Sequence, residues 1–390
     1  MSHVVFEMPN QIVFGEESIK KLGEISKRFG KKALIVGDSM MAQLGYVKLC
    51  QEVLLESGVE SALYLEVNRE PDDGFVTDGL KVFKDNNCDV IVAVGGGSPI
   101  DTAKAIAVVA TNGGYIGDYI RGQKIASIDP VPLIAIPTTA GTGSEATNVT
   151  VITNTETTVK MMIKQTAFLP KIAIVDPYFT LSSPKHVTAS TGVDALCHAI
   201  ESYVSRIANP LTKEFSLAAI KLIMANLETA YVDGSNVKAR ELMALGATEA
   251  GIAFSNASVA LVHGMSRPIG AIFHVPHGIS NAMLLPAFLD YTKPIAVKEF
   301  AEIGRTFLPV GSYSNDEEWA DAMVDAIKEL CVKLGIGNLR SWGIDKDEFA
   351  KVVDKMATDA IASGSPGNNP IVPTHEEIVE LYWTCYTYGE

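Results

Sequence analysis

The chain has 390 residues, 20% of them charged, and a formal net charge of -14. That excess of acid argues against nucleic acid or an anionic membrane surface as a partner. No run of about 18 uninterrupted apolar residues occurs, so the apolar 47% is assigned to buried cores, and the length suffices for two domains.

In chain order, the N-terminal HVVFEMPNQIVFG has no basic segment followed by an apolar one, so no secretory signal is expected, and the run is expected to give edge strands or a small hairpin. KALIVGD (32–38), ALYLEV (62–67), DVIVAVGGG (89–97), PLIAIPTT (132–139) and KIAIVDP (171–177) are rich in Val and Ile and read as buried parallel strands. Helical patterns at 46–58 and 76–88 fall between them, which predicts a layer of βαβ units, a Rossmann-like α/β domain over 1–183. After Asp176 the strands stop. Ser183 is the expected N-cap and Pro184 the first residue of a helix. Amphipathic patterns at 187–205, 211–230, 236–254, 317–334 and 374–388 predict an all-helical domain over 184–390, and SGSPGNNP (363–370) reads as a turn-rich loop. The cysteines at 50, 88, 197, 331 and 385 are odd in number and lack CxxC spacing, as expected of reduced thiols in a cytoplasmic protein.

Two turns have the composition of a phosphate cradle. Gly95-Gly96-Gly97-Ser98 ends a buried strand and opens a helix with Pro99 in its first turn. Glycines let the backbone approach an anion closely, and a helix N-terminus offers unpaired N–H groups. The usual GxGxxG fingerprint is absent, and a purely structural turn is the competing reading. The second turn, PTTAGTGSE (137–145), follows the next strand and brings Thr138, Thr139, Thr142 and Ser144 to its C-terminal end, where ligands of open α/β sheets bind. Asp38 ends the first α/β strand. It is either an ordinary N-cap or a ribose-binding carboxylate that favours NAD over NADP.

A second group has the chemistry of a metal site. Asp194 and His198 lie four apart in TGVDALCHAIESYVS and share a helix face. His263 falls in a segment that reads as buried helix, and His277 follows Pro276 in a turn. One carboxylate and three imidazoles suit a divalent transition metal. His274, three before His277, is the main competitor for a ligand role.

The segments GDSM (from 37), GGGSPIDTAK (95–104), PTTAGTGSE (137–145), DPYFT (176–180), GVDALCHAIESYVS (192–205) and HGMSRPIGAIFHVPHGISNAMLLP (263–286) together resemble the iron-containing (group III) alcohol dehydrogenases over nearly the full length. The resemblance implies a nucleotide-binding α/β domain followed by a helical domain that carries the metal. It implies Asp194, His198, His263 and His277 as ligands of Fe2+, a donor set that also suits Zn2+, Ni2+ or Mn2+. It places Gly96, Gly97 and Ser98 on the pyrophosphate of NAD, and Thr138, Thr139 and Thr142 near the phosphates and nicotinamide. Lys160 would lie by the ribose and Phe254 along the nicotinamide or substrate crevice, with Asp101, Ser144 and Val151 among the cofactor-site residues. Asp38 would select NAD. Some members carry a further histidine four residues after the third ligand. Here that position is Arg267, which stays charged and cannot relay a proton, so His274, ordered water or a ribose hydroxyl would have to serve. Arg267 either binds an anionic substrate group or pairs with a neighbouring acid.

The implied activity is metal-dependent transfer of hydride between NAD(H) and a small alcohol or aldehyde, by a homodimer or higher homo-oligomer. The alternative on the same scaffold is a polyol or hydroxyacid dehydrogenase, for example of 4-hydroxybutyrate. A dehydroquinate-synthase-like lyase would need basic residues around the ligands, and none stand out. A non-catalytic metalloprotein would need a closed site.

Overall fold

Central strands that are buried along their length on both faces set the N-terminal sheet. The computed structural model of the chain describes residues 3–157 and 159–389. Val5–Ser183 forms one compact unit and the rest of the chain essentially the other. In the first, the elements run β1 (Gln11–Phe14), α1 (Leu22–Ser26), β2 (Lys32–Val36), α2 (Ser39–Gln43), α3 (Tyr46–Glu56), β3 (Glu60–Tyr64), α4 (Asp73–Asp85), β4 (Val90–Gly95), α5 (Gly97–Asn112), β5 (Leu133–Pro137), β6 (Val149–Thr153), β7 (Lys160–Lys164) and β8 (Ile172–Val175). Six strands form a parallel sheet in the order β1-β8-β5-β4-β2-β3.

The two faces of that sheet have separate cores. Ala33, Ile35, Val90, Val92, Val94, Ile134 and Ile136 pack with α1 and α3. Leu34, Val36, Ile91, Ala93, Leu133 and Ala135 pack with α4 and α5. Successive residues of one strand thus serve opposite cores, which explains why these strands read as unbroken apolar runs.

The N-terminal run forms only β1, an edge strand parallel to β8, and not a hairpin: parallel pairing with a strand far along the chain satisfies its backbone instead. β6–β7 is an antiparallel hairpin, unforeseen because its short strands alternate buried and half-buried residues instead of forming an unbroken buried run. Its turn begins at Asn154, whose Oδ1 accepts from the N–H groups of Glu156 and Thr157.

The second unit is helical: α6 (Lys185–Val204), α7 (Pro210–Val232), α8 (Val237–Ala257), α9 (Leu261–Phe273), α10 (His277–Thr292), α11 (Val297–Phe307), α12 (Asp316–Lys333), α13 (Lys346–Ala362) and α14 (His375–Tyr386). Helix α6 is buried almost all round, as its small and apolar residues require. Its N-cap is Pro184, not Ser183; the Ser183 hydroxyl donates to the carbonyl of Thr138 instead. Helix α7 is long and apolar enough by composition to cross a membrane, yet Ile220, Ile223 and Leu227 are buried inside this unit. All five cysteines are buried and unbridged.

Candidate metal centre and nucleotide cradle

Strands β2 and β4 are neighbours, but the chain leaves β2 toward β3 on one side and β4 toward β5 on the other. This reversal opens a crevice at their C-terminal ends, the usual ligand position of a doubly wound sheet. The turns there carry Asp38 and residues 95–98. Gly96 is the N-cap of α5 and offers no side chain to its first N–H groups. Gly97 packs closely on Thr142: a Cβ there would lie 3.0 Å from Cγ2 of Thr142, so glycine fits without displacing it. The turn after β5 therefore lies directly against the glycine turn, at the positive end of a sixteen-residue helix.

Buried polar groups lock the two turns together. Asp101 accepts the Ser144 hydroxyl at 2.5 Å and the Val151 N–H at 2.7 Å. Lys104 donates to Thr147 Oγ1 and the Val149 carbonyl at 2.9 and 2.8 Å. Burial pushes the Lys104 ammonium down to about 8, against the opposing pull of Asp101 and Glu145. Asp101, Ser144 and Val151 thus spend their polar groups on positioning these turns. Asp38 caps α2, accepting the Met41 N–H at 2.8 Å. Lys160 lies 3.2 Å from Glu70.

In the helical unit, Asp194 and His198 project from one face of α6, His263 from the first turn of α9 and His277 from the first residue of α10. One ligand atom from each of the four lies within 4.8 Å of the others. Asp194, His198 and His263 are buried, and His277 is half-buried. The ring of His198 is sandwiched between Phe254 (centroids 4.2 Å apart) and His263 (4.4 Å). Gly278 allows the close approach that positions His277: a Cβ there would meet the Ser190 carbonyl of α6 at 3.1 Å.

Two polar side chains that the sequence did not single out complete this centre. Glu201 is fully buried on α6, three residues beyond His198. It accepts the Val262 N–H at 2.6 Å and pairs with Nδ1 of His263. Asn281, one turn after His277 and also fully buried, brings Nδ2 to 2.6 Å from Asp194 Oδ1, 3.0 Å from His263 Nε2 and 3.2 Å from His277 Nε2. The i+7 spacing from Asp194 and the i+4 spacing from His277 were the available signals.

The electrostatics follow. Burial would raise the Asp194 carboxyl, but the imidazoles of His198, His263 and His277 hold it well below the usual range. Burial would lower His263, but Glu201 and Asp194 raise it to about 9.

Residues 9–177 match the model of the iron-containing alcohol dehydrogenases, and residues 188–386 match that of the family's C-terminal region. The chain belongs to the iron-containing alcohol dehydrogenase family. Among its relatives, 1,3-propanediol dehydrogenase of Citrobacter freundii is 38% identical over 98% of this chain and 99% of that protein. NAD-dependent methanol dehydrogenase of Bacillus methanolicus is 36% identical over 96% of this chain and 98% of its own length. The crystal structure of a 1,3-propanediol oxidoreductase superposes with a TM-score of 0.94 at 37% identity, covering 98% of this chain and all of that one. Like its family, the chain is an alcohol–aldehyde oxidoreductase. These relatives do not favour the hydroxyacid alternative.

The four side chains fit the family's metal. Three nitrogens and one oxygen converge on one buried spot, and the adjacent Asn281 Oδ1 is buried without a hydrogen-bond partner. His274 stands apart: it is exposed and ends α9 with a left-handed backbone (φ 55°). Arg267 lies one turn beyond His263 on α9 and donates to the Ser365 hydroxyl at 3.0 Å. Burial lowers its guanidinium, and the charge of Glu201 opposes that shift.

Proposed function

We propose that this chain is an NAD-dependent dehydrogenase and reductase of short-chain alcohols and aldehydes, with a divalent metal, Fe2+ first, held by Asp194, His198, His263 and His277. The convergence of their four ligand atoms within 4.8 Å carries the reading. A cation bound there supplies Lewis-acid polarisation of the substrate oxygen. Three neutral imidazoles and one carboxylate leave a divalent ion with a net charge of about +1, so its acidity survives. The donor set accepts Zn2+, Ni2+ or Mn2+ as well.

The N-terminus of α5 with Gly96, Gly97 and Ser98 would hold the pyrophosphate, because unpaired N–H groups and the helix dipole meet there. Thr138, Thr139 and Thr142 lie against the glycine turn and would contact the phosphates and nicotinamide, with Lys160 by the ribose. Asp101, Ser144 and Val151 would act by holding these turns in place. Asp38 would favour NAD by repelling a 2′-phosphate, and the NAD-dependent methanol dehydrogenase among the relatives supports that choice. Phe254 would steady His198 and line the nicotinamide or substrate site. These assignments make 1–183 the nucleotide-binding domain and 184–390 the metal-binding domain.

Arg267 favours a second reading within the same activity, an aldehyde carrying an anionic group. Its guanidinium is tucked one turn from a ligand and bonds a neutral hydroxyl. The test of both is a steady-state comparison of propanal, lactaldehyde and succinic semialdehyde with NADH and NADPH. The main reading expects turnover of the neutral aldehydes, with NADH preferred. A preference for the carboxylated aldehyde that Arg267→Ala abolishes through KM alone establishes the second. No turnover of any of them refutes both.

We further infer a cytoplasmic homodimer or larger homo-oligomer. The five unbridged thiols support the compartment. The open edge of β1, preceded by the exposed Val5 and Met8, supports strand-mediated assembly. Removing residues 1–9 is expected to release monomers in light scattering; an unchanged oligomer mass contradicts this route.

A further inference from the structure

Helix α9 begins without a cap of its own. Its N-cap is Ala260, which offers no side-chain acceptor to the first N–H groups. The acceptor comes from α6: Glu201 Oε1 takes the Val262 N–H at 2.6 Å. The other oxygen, Oε2, faces Nδ1 of His263, the next residue. Both oxygens are therefore committed, and the carboxylate is fully buried.

The two commitments have a chemical consequence. A backbone N–H is always a donor, and an ionised carboxylate is always an acceptor. With Oε1 fixed on Val262, Oε2 can only receive a proton from His263, so Nδ1 carries the hydrogen. In the neutral ring the lone pair is then on Nε2, the nitrogen directed at Asp194 and Asn281. The arrangement selects the one tautomer that can bind a cation from that side.

We propose that Glu201 is the positioning residue of the metal centre, fixing the tautomer and orientation of His263 while it caps α9. This rests on the reading of His263 as a metal ligand. It goes further in assigning metal affinity to a side chain that touches neither metal nor substrate. Replacement by glutamine separates it from simple packing. Glutamine keeps the size, but it has only one oxygen. If that oxygen stays on Val262, the amide NH2 faces Nδ1 and forces the proton onto Nε2, where it blocks the metal.

The test is the Zn2+ affinity of full-length protein, measured by chelator competition for the parent, Glu201→Gln and His263→Ala. Far-ultraviolet circular dichroism and NADH binding serve as checks on the fold. The expected result is a loss of roughly 10–100-fold for Glu201→Gln, the usual cost of removing such a partner, with NADH binding unchanged and a larger loss for His263→Ala. If His263→Ala loses affinity and Glu201→Gln keeps it, the proposal falls while the metal site stands. If His263→Ala keeps full affinity, His263 is not a ligand and both readings fall. Should Glu201→Gln not fold, nitrogen-15 NMR of the parent with Zn2+ bound decides. A protonated Nδ1 and metal-bound Nε2 on His263 support the proposal, and the opposite tautomer overturns it.

Discussion

The ring of Phe254 lies nearly parallel on that of His198, with planes 16° apart and centroids at 4.2 Å. His263 stacks on His198 as well, at 4.4 Å. His198 is thus held in place by aromatic packing, whereas Glu201 holds His263 by hydrogen bonding.

Stacking of this kind is worth about 0.5–1.5 kcal/mol beyond the area it buries. Phe254→Leu keeps an apolar side chain but loses the flat contact. It is expected to weaken metal binding roughly two- to tenfold, by that same magnitude. Chelator competition checks this, and an unchanged affinity would show that His198 is oriented by other contacts.

The metal-free centre should be sensitive to pH. Burial lowers the His263 pKa, but Glu201 and Asp194 raise it to about 9, above the 6.5 of an ordinary imidazole. A group whose folded pKa is raised contributes stability that is fully present below the unfolded value and lost as pH rises through the folded one. The metal-free protein is therefore expected to lose thermal stability between about pH 6.5 and 9. The same proton competes with the metal, so apparent metal affinity should climb by up to about tenfold per pH unit over that interval and then level off. Calorimetry in buffers of differing ionisation enthalpy would detect the released proton. A pH-independent affinity would mean that His263 exchanges no proton for metal.

Asp38 is both the cap of α2 and the proposed discriminator between cofactors. Asn can keep the bond to the Met41 N–H and removes only the charge. Asp38→Asn is thus expected to raise kcat/KM with NADPH relative to NADH at little cost in stability. Asp38→Ala should show the same shift and also lose about 0.5–2 kcal/mol of helix-cap stability. The ratio of kcat/KM for the two cofactors, with thermal unfolding of each variant, separates the roles. A ratio unmoved by either change would leave Asp38 as a cap alone.

Local pattern explains what was legible in the sequence. Val90 to Val94 is buried on both faces, so its apolar run is continuous, and the glycines that follow mark its end. Asp194 and His198 share a face of one helix, which spacing reveals directly. The meeting of His263 and His277 with that pair depends on the packing of α9 and α10 onto α6, which no local pattern contains. Family resemblance supplied that link. Glu201 was passed over because an acid in a helix ordinarily faces water, and its burial is visible only once Val262 and His263 lie against it. The β6–β7 hairpin was hidden because its two five-residue strands lack an unbroken apolar run.

The central claim is that the buried cluster of Asp194, His198, His263 and His277 is a metal centre on which turnover depends. The most direct measurement is NADH oxidation with propanal under anaerobic conditions. It uses chelator-treated protein before and after Fe2+ is returned, beside His263→Ala treated in the same way. The account predicts no turnover without metal, recovery on adding Fe2+, and no recovery in the variant. Full activity in the metal-free protein, or equal recovery in His263→Ala, would contradict it.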